Sequence, residues 1–581
     1  MEGRLKYGGA FAEFCRAMFA ITVVVFFVGL FLRFLYQRSA PSLRNVRGPP
    51  RHDFLFGNIL QLMSANGYNF HADLAQNYGK VVKIHSLLGA KDLYVFDHAA
   101  MESILVKQEP IFNMPDALLA ANRLIFGPCL VSTSGKHIFL PAPALFVETK
   151  AGAQHRRGRK IMNPVFSPAR LKEMLPIITE IAHQTSNAMT SSVGQGSELD
   201  MSSILESTSL EFIGQAGLGH SFTTSKSDAL HNMKELLQAA KRLIIPMQVL
   251  PLLMKILPPK FRRLLIDYVP LPDLRIARDL VDILDKTSRD ILFRKRQALD
   301  AGDALVAEQI GQGKDVTSLL MKAVALDESG NIRLTEDELL GQMNVILFAG
   351  TDTTSTAMAR CLQELSLHPE VQDKLRQEVT IACSHGNLDF DQLNALPLLE
   401  AICRETLRMY PPAITSSRQA LENTVIPLSE PMTGEDGKTI TELFIPKGTL
   451  VHIGIKAANQ DRSVWGMDAT EWKPERWFSL PKTVTDAKIP GVYPKLCVFI
   501  SLHWRIVDGL SNSSMTFIGG PRGCIGFRFA EMTMKVFLVT LVKKFVFSPS
   551  KKDIVWKLGV AEAPTCEGKG SFPIVVAPVQ I

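Results

Sequence analysis

Residues Phe517 to Gly526 read FIGGPRGCIG. Four glycines and a proline in ten residues cannot propagate a helix or fill a central strand, so this stretch is a loop of tight, fixed shape. An apolar, helix-prone segment, Phe527 to Val546, follows directly. The loop therefore presents Cys524 just ahead of a helix, with Arg522 two residues before it. A thiol placed this way is a candidate metal ligand. Backbone N–H groups freed by the glycines, and the start of the helix, are expected to lower its pKa. For any single cysteine, a buried filler beside a turn is the simpler reading.

The cysteine census points to one functional thiol. The eight are Cys15, Cys129, Cys361, Cys383, Cys403, Cys497, Cys524 and Cys566. No pair has Cys-x-x-Cys spacing, so neither a zinc site nor a dithiol redox motif is indicated. Cysteines scattered along a long chain fit a reducing compartment.

The complete pattern Phe-x-x-Gly-x-Arg-x-Cys-x-Gly resembles the haem-binding loop of the cytochrome P-450 family, where the cysteine is the axial iron ligand. The resemblance covers nearly the whole chain after residue 52. It implies a mainly α catalytic domain with a small β region, the cytochrome P-450 fold, holding haem b (iron protoporphyrin IX) on Cys524. Runs around Leu93-Tyr-Val-Phe96, Thr449-Leu-Val-His-Ile453 and Phe572-Pro-Ile-Val-Val576 are alternating or β-branched and suggest the small sheet. Ile445-Pro-Lys-Gly-Thr449 and Ala457-Ala-Asn-Gln-Asp461 look like segments of the family's eukaryotic, especially fungal, members.

Thr335-Glu-Asp-Glu338 is a capping box opening a long apolar helix, expected to run to about Leu367 before His368-Pro369. Ala349-Gly-Thr-Asp-Thr-Thr354 lies inside it. Glycine and a run of hydroxyl and acid residues contradict helix propensity there, and such conflicts tend to mark functional sites. Hydroxyls can bond back to helix carbonyls and open a groove. A polar helix face is the plainer alternative. The stretch resembles the family's oxygen-binding kink, which implies Asp352 and Thr353 as the catalytic acid–alcohol pair. Splitting O–O needs protons delivered into a mostly dry pocket, and a carboxylate and a hydroxyl can relay them through water.

Glu405 and Arg408 share a helix face at i, i+3, which alone would mark only a surface ion pair. In the family such a Glu-x-x-Arg joins an arginine from a Pro-Glu-Arg segment. Here Pro474-Glu-Arg476 supplies it, implying a buried structural network of Glu405, Arg408 and Arg476. Haem propionates need cations. Arg522 and Arg418 are candidates. His155-Arg-Arg-Gly-Arg159 resembles the family's Trp-x-x-x-Arg helix, with His155 in place of the tryptophan, and adds Arg159 and His155. A solvated basic face, or one that docks an acidic redox partner, is the alternative for that cluster.

The N-terminus differs in kind. Ala17 to Leu32 carries no charge, and the apolar run resumes beyond Arg33 as Phe34, Leu35 and Tyr36. About 20 residues span a bilayer as a helix, a length reached if Arg33 snorkels to the interface. Arg33, Arg38, Arg44, Arg47 and Arg51 follow, favouring a cytosolic C-terminal side. The expectation is a single-pass membrane anchor over residues 1–40, in the endoplasmic reticulum with the catalytic domain cytosolic. A cleaved signal peptide is the alternative. A stiff proline-rich linker is expected over 41–52 and the haem domain over 53–581. Leu243 to Leu253, apolar and broken by prolines, is either a substrate-entry lid or ordinary core.

Two stretches depart from the family pattern, 136–152 and 494–510. Gly135-Lys-His137 and Lys150-Ala-Gly152 can be encoded with intron donor and acceptor sequences, and Leu510-Ser511 with an acceptor. Both stretches therefore read as translated introns or as genuine loop insertions; spliced cDNA reads retaining them would remove the intron reading.

A net charge of +7 over 581 residues, spread along the chain, excludes a nucleic-acid partner on electrostatic grounds. Gly519-Gly520 does not open a Gly-x-Gly-x-x-Gly unit, so no nucleotide fingerprint is visible. The resemblance then implies a monooxygenase that inserts one oxygen atom from O2 into a lipophilic substrate, in secondary metabolism or xenobiotic oxidation. Electrons would come from NADPH through a separate cytochrome reductase. A non-oxygenating isomerase or dehydratase, a haem sensor and an inactive product of a faulty gene assembly stay open as alternatives.

Overall fold

The computed structural model describes residues 43–133, 153–193, 196–223, 235–236, 239, 242–243, 245–269, 271–300, 315–325, 334–487, 489–491 and 514–579. The apolar N-terminal run, 136–152 and 494–510 lie outside them. No helix of the described residues is long and apolar enough to cross a membrane.

The longer helices are α1 (Tyr68–Asn77), α2 (Asp116–Phe126), α3 (Ala153–Met162), α4 (Pro168–Ser192), α5 (Met201–Glu211), α6 (Pro272–Asp300), α7 (Val316–Ala325), α8 (Glu336–Leu367), α9 (Pro369–Ala382), α10 (Pro397–Met409) and α11 (Phe527–Val542). Helix α8 organises the rest. Thr335 Oγ1 accepts from the Glu338 amide at 3.2 Å and Glu338 Oε2 accepts from the Thr335 amide at 2.9 Å, so the expected capping box forms. Pro369 cannot continue an α-helix and opens α9 instead. Between these ends most of α8 is buried, polar side chains such as Gln342, Asn344, Thr354 and Arg360 included. It packs on α5, α6, α10 and α11. Met358, Leu362, Leu365 and Phe537 are fully buried in that core.

The strands are β1 (Val81–His85), β2 (Lys91–Val95), β3 (Phe112–Asn113), β4 (Ser197–Asp200), β5 (Thr415–Ala420), β6 (Thr424–Thr433), β7 (Thr439–Ile445), β8 (Leu450–Gly454), β9 (Phe545–Pro549), β10 (Ile554–Lys557), β11 (Ala563–Cys566) and β12 (Pro573–Pro578). The main sheet runs β1-β2-β8-β5-β3, and a three-stranded sheet runs β4-β12-β9. Strands β2 and β8 pair in parallel, with Leu93 opposite Val451. Their β-branched residues cover a second core holding Val82, Leu93, Val451, Ile453 and Trp465. The architecture is thus mainly α with small sheets.

Two boundaries differ from expectation. Helix α11 ends at Val542, and Phe545 and Val546 enter β9, because β9 pairs along β12 and tertiary pairing overrides a helix-prone run. Near the other end, Leu43 and Val46 are fully buried in the second core, and the Lys83 amide donates to the Arg47 carbonyl at 2.9 Å. The folded unit reaches back at least to Leu43. Chain flanking two segments outside the description returns to where it left: Thr133 and Gln154 line one small cavity, and Gly519 is pressed onto Pro490 and Gly491.

Candidate functional site

The cysteine loop is shaped by close backbone approaches. A Cβ on Gly519 would sit 1.9 Å from the Pro490 carbonyl oxygen, and one on Gly520 2.2 Å from that of Leu105. Only glycine fits at either place, and Gly520 also has φ +76°. The Cys524 amide donates to the Phe517 carbonyl at 2.8 Å, closing the loop ahead of α11. Cys524 is exposed as a residue, yet desolvation dominates the acidity of its thiol. Burial pushes the thiol pKa up, while the Gly526 amide and Arg159 pull it down. The net direction is up, which corrects the expectation of a lowered value: loop amides alone do not offset burial. A coordinating metal would deprotonate the thiol outright.

Four basic side chains gather beside this loop. Arg159 Nη1 donates to the Gly523 carbonyl at 2.5 Å. Arg522 Nη1 donates to the Thr133 carbonyl at 3.2 Å, and its Nε to Glu109 Oε1 at 3.1 Å. Arg418, on β5, is buried and donates to Ser416 Oγ and the Ser417 carbonyl, both at 2.9 Å. His155 is buried on α3. Burial, then Arg522, lowers the Arg418 pKa to about 10, with Glu109 opposing. Burial, then Arg522 and Arg159, drops His155 to about 3, so its ring is neutral. Burial also lowers Arg159 and Arg522. Among the described residues, Glu109 is the carboxylate that raises Arg418 and Arg522. Buried or half-buried guanidinium groups that repel one another, beside the cysteine loop, fit a cofactor with an anionic edge.

On α8 the polar stretch opens one helix face. Ala349 is exposed in mid-helix, between buried Leu347 and Thr351, and Asp352 and Thr353 are half-buried. Thr353 Oγ1 donates back to the Ala349 carbonyl and Thr351 Oγ1 to the Leu347 carbonyl, both at 2.8 Å. Ser209 Oγ donates to the Gly350 and Thr351 carbonyls at 3.1 and 2.8 Å. These carbonyls thus gain hydroxyl partners outside the regular ladder. Phe348 of α8, and Phe517 and Ile525 of the cysteine loop, pack on the same core.

Glu405, Arg408 and Arg476 form one buried network. Arg408 Nε and Nη2 reach Glu405 at 2.8 and 2.7 Å, and Arg476 Nε reaches it at 3.3 Å. Sequence reasoning missed the rest. Trp477 Nε1 donates to Glu405 at 3.1 Å, Asp468 accepts from Arg476 at 2.7 Å, and Arg408 Nη1 caps the Asn459 and Ala469 carbonyls. The Asn459 side chain then accepts from the Met515 amide at 2.7 Å and donates to Thr516 at 3.0 Å. The network therefore ends at the base of the cysteine loop. Glu109 was also missed, and no local signal marks it.

Comparison with known proteins gives the family. A family model described as Cytochrome P450 matches residues 47–559. Cytochrome P450 monooxygenase 81 of Postia placenta is 40% identical over 548 residues, covering 93% of each chain. Cytochrome P450 monooxygenase 91 of the same fungus is 41% identical over 543 residues, 92% of this chain and 94% of its own. A ganoderic acid synthetase of Ganoderma lucidum is 36% identical over 550 residues, 93% of this chain and 94% of its own.

Proposed function

The chain belongs to the cytochrome P450 family and is a haem b monooxygenase, and from that premise we propose how its own residues divide the work. Cys524 would hold the haem iron through its thiolate. The observation that carries this is its place on a loop whose glycines Gly519 and Gly520 are pressed onto neighbouring backbone, with Arg159 donating to the adjacent Gly523 carbonyl. Arg159, Arg418 and Arg522 hold the propionate edge, and neutral His155 offers a hydrogen bond there. Haem, when bound, would supply the oxygen-activating iron, and the thiolate would donate electron density to it.

The proton work falls to α8. Thr353, held by the Ala349 carbonyl, positions water on the open helix face, and Asp352 passes protons to it from solvent. Glu405, Arg408 and Arg476 are structural: they fix the base of the cysteine loop through Asn459. As a monooxygenase the protein takes O2 and draws electrons from a redox partner; we assign that role to an NADPH-cytochrome reductase, with a lipophilic small molecule as substrate. The half-buried apolar residues of the helix Leu250–Ile256 suit the edge of a substrate entry. Residues 1–40 anchor the chain in the membrane.

The reduced, carbon monoxide-bound difference spectrum tests the ligand assignment. Wild type should give the thiolate-type Soret band, and Cys524→Ser should lose it, since a neutral hydroxyl cannot replace a soft anionic sulfur. A serine variant that kept both that band and activity would remove Cys524 from the iron.

A further inference from the structure

One carboxylate that no motif marks stands inside the cationic cluster. Glu109 and Arg522 are 413 positions apart in sequence yet lie 3.1 Å apart, with side chains only 16% and 8% exposed. The approach is built by the backbone. Gly520 lets the cysteine loop touch the Leu105 carbonyl, and Glu109 follows four residues later. Glu109 acts on more than its direct partner, because it also opposes the lowering of Arg418. Among the described residues, Glu109, Arg159 and His155 face Arg522, and Arg522 and Glu109 act on Arg418. His155 is neutral. Among the described residues, three guanidinium groups less one carboxylate leave two positive charges, which is what two propionates neutralise.

We propose that Glu109 is a positioning residue for the cofactor: it aims Arg522 and sets the charge at the haem edge, holding the iron's reduction potential down. The proposal rests on the reading that Arg159, Arg418 and Arg522 hold the propionates. Without Glu109, Arg522 keeps the Thr133 carbonyl but loses the partner that fixes its Nε. The edge also gains a net positive charge. A positive charge near the iron favours the reduced state, and in a poorly solvated site it is weakly screened.

The test uses full-length, haem-loaded protein and spectroelectrochemical titration of the iron. Glu109→Gln should shift the midpoint potential positive, and Glu109→Asp, which keeps the charge, should stay near wild type. Glu102→Gln is the control. It removes the same charge from the same stretch, but Glu102 pairs with Lys107, whose side chain is 63% exposed. That variant should not shift. An unmoved potential in Glu109→Gln, equal shifts in Glu109→Gln and Glu102→Gln, or loss of haem in both Glu109 variants would overturn the proposal. Arg418→Gln tests the underlying reading separately. It should release haem to apomyoglobin about tenfold faster or more, the loss expected from one charged hydrogen bond. If it does so while Glu109→Gln leaves the potential unmoved, the Glu109 proposal alone falls. If Arg418→Gln retains haem like wild type, the reading of the cations falls and this proposal falls with it.

Discussion

Arg408→Ala should leave little folded haem protein. Arg408 is fully buried and donates to Glu405 twice, and to the Asn459, Ala469 and Glu471 carbonyls. Removing one partner of a buried ion pair costs about 3–5 kcal/mol. Each of the three carbonyls then lacks a donor, at about 1 kcal/mol apiece if water enters the space left. Glu405 keeps the Lys473 amide at 3.0 Å, Trp477 at 3.1 Å and Arg476 at 3.3 Å, which offsets part of its loss. The total is about 6 kcal/mol or more, against a domain stability of about 5–15 kcal/mol. Loss should also be felt at the cysteine loop, since Asn459 joins Arg408 to Met515 and Thr516. The assay is the yield of the thiolate-type carbon monoxide band per total protein, with thermal unfolding followed by circular dichroism. Arg408→Lys should fall between, because one ammonium keeps the charge but cannot reach five acceptor positions in a fork geometry. Breaking the exposed Glu102–Lys107 pair should cost at most about 1 kcal/mol. If Arg408→Ala incorporated haem and melted like wild type, the network would be no more than a surface pair, and the reasoning would be wrong.

Thr353→Ala should bind haem normally but waste electrons, with NADPH consumption continuing while product falls and hydrogen peroxide rises. Asp352→Asn should slow the whole cycle without that leak, and unchanged coupling in the first with unchanged rate in the second would leave both residues as a polar patch. Deleting residues 1–40 should release the protein from membranes in a sedimentation assay and preserve its haem spectrum, because the cut precedes the buried Leu43; loss of haem would show that the folded unit starts earlier. Stability should fall on acidification through His71, whose pKa burial lowers to about 4. Between about pH 6.5 and 4 the unfolded chain holds a proton that the folded one refuses, so this contribution is present above pH 6.5 and lost as pH falls, by about 2 kcal/mol at pH 5. His71→Gln should flatten urea-unfolding stability between pH 7 and 5, and an identical slope in wild type and variant would assign the acid sensitivity elsewhere.

What was legible in the sequence was what is local. The limits of α8 follow from a capping box and a proline, each written within a few residues. The shape of the cysteine loop follows from its glycines. Glu405 and Arg408 share a helix turn, and only Arg476 had to be brought from afar. The rest depends on partners the chain cannot announce. The order β1-β2-β8-β5-β3 joins strands more than 300 residues apart, so no window contains it. Glu109 meets Arg522 only because two backbones touch at Gly520. The direction of the Cys524 shift was misjudged because loop amides are visible in a sequence and burial is not.

The returning chain at Gly491 and Gly519, and at Thr133 and Gln154, has a thermodynamic meaning. At each seam the described ends already lie close together. For a loop joining such ends the entropic penalty grows only with the logarithm of its length, about 0.6 kcal/mol per doubling. A transcript that drops 494–510 would still leave ten residues, Val492, Tyr493 and Ser511 to Ile518, between Gly491 and Gly519, which the fold already holds together. Long and short isoforms would then share one catalytic body. The same two seams are the natural points at which to graft a fluorescent reporter or an affinity handle.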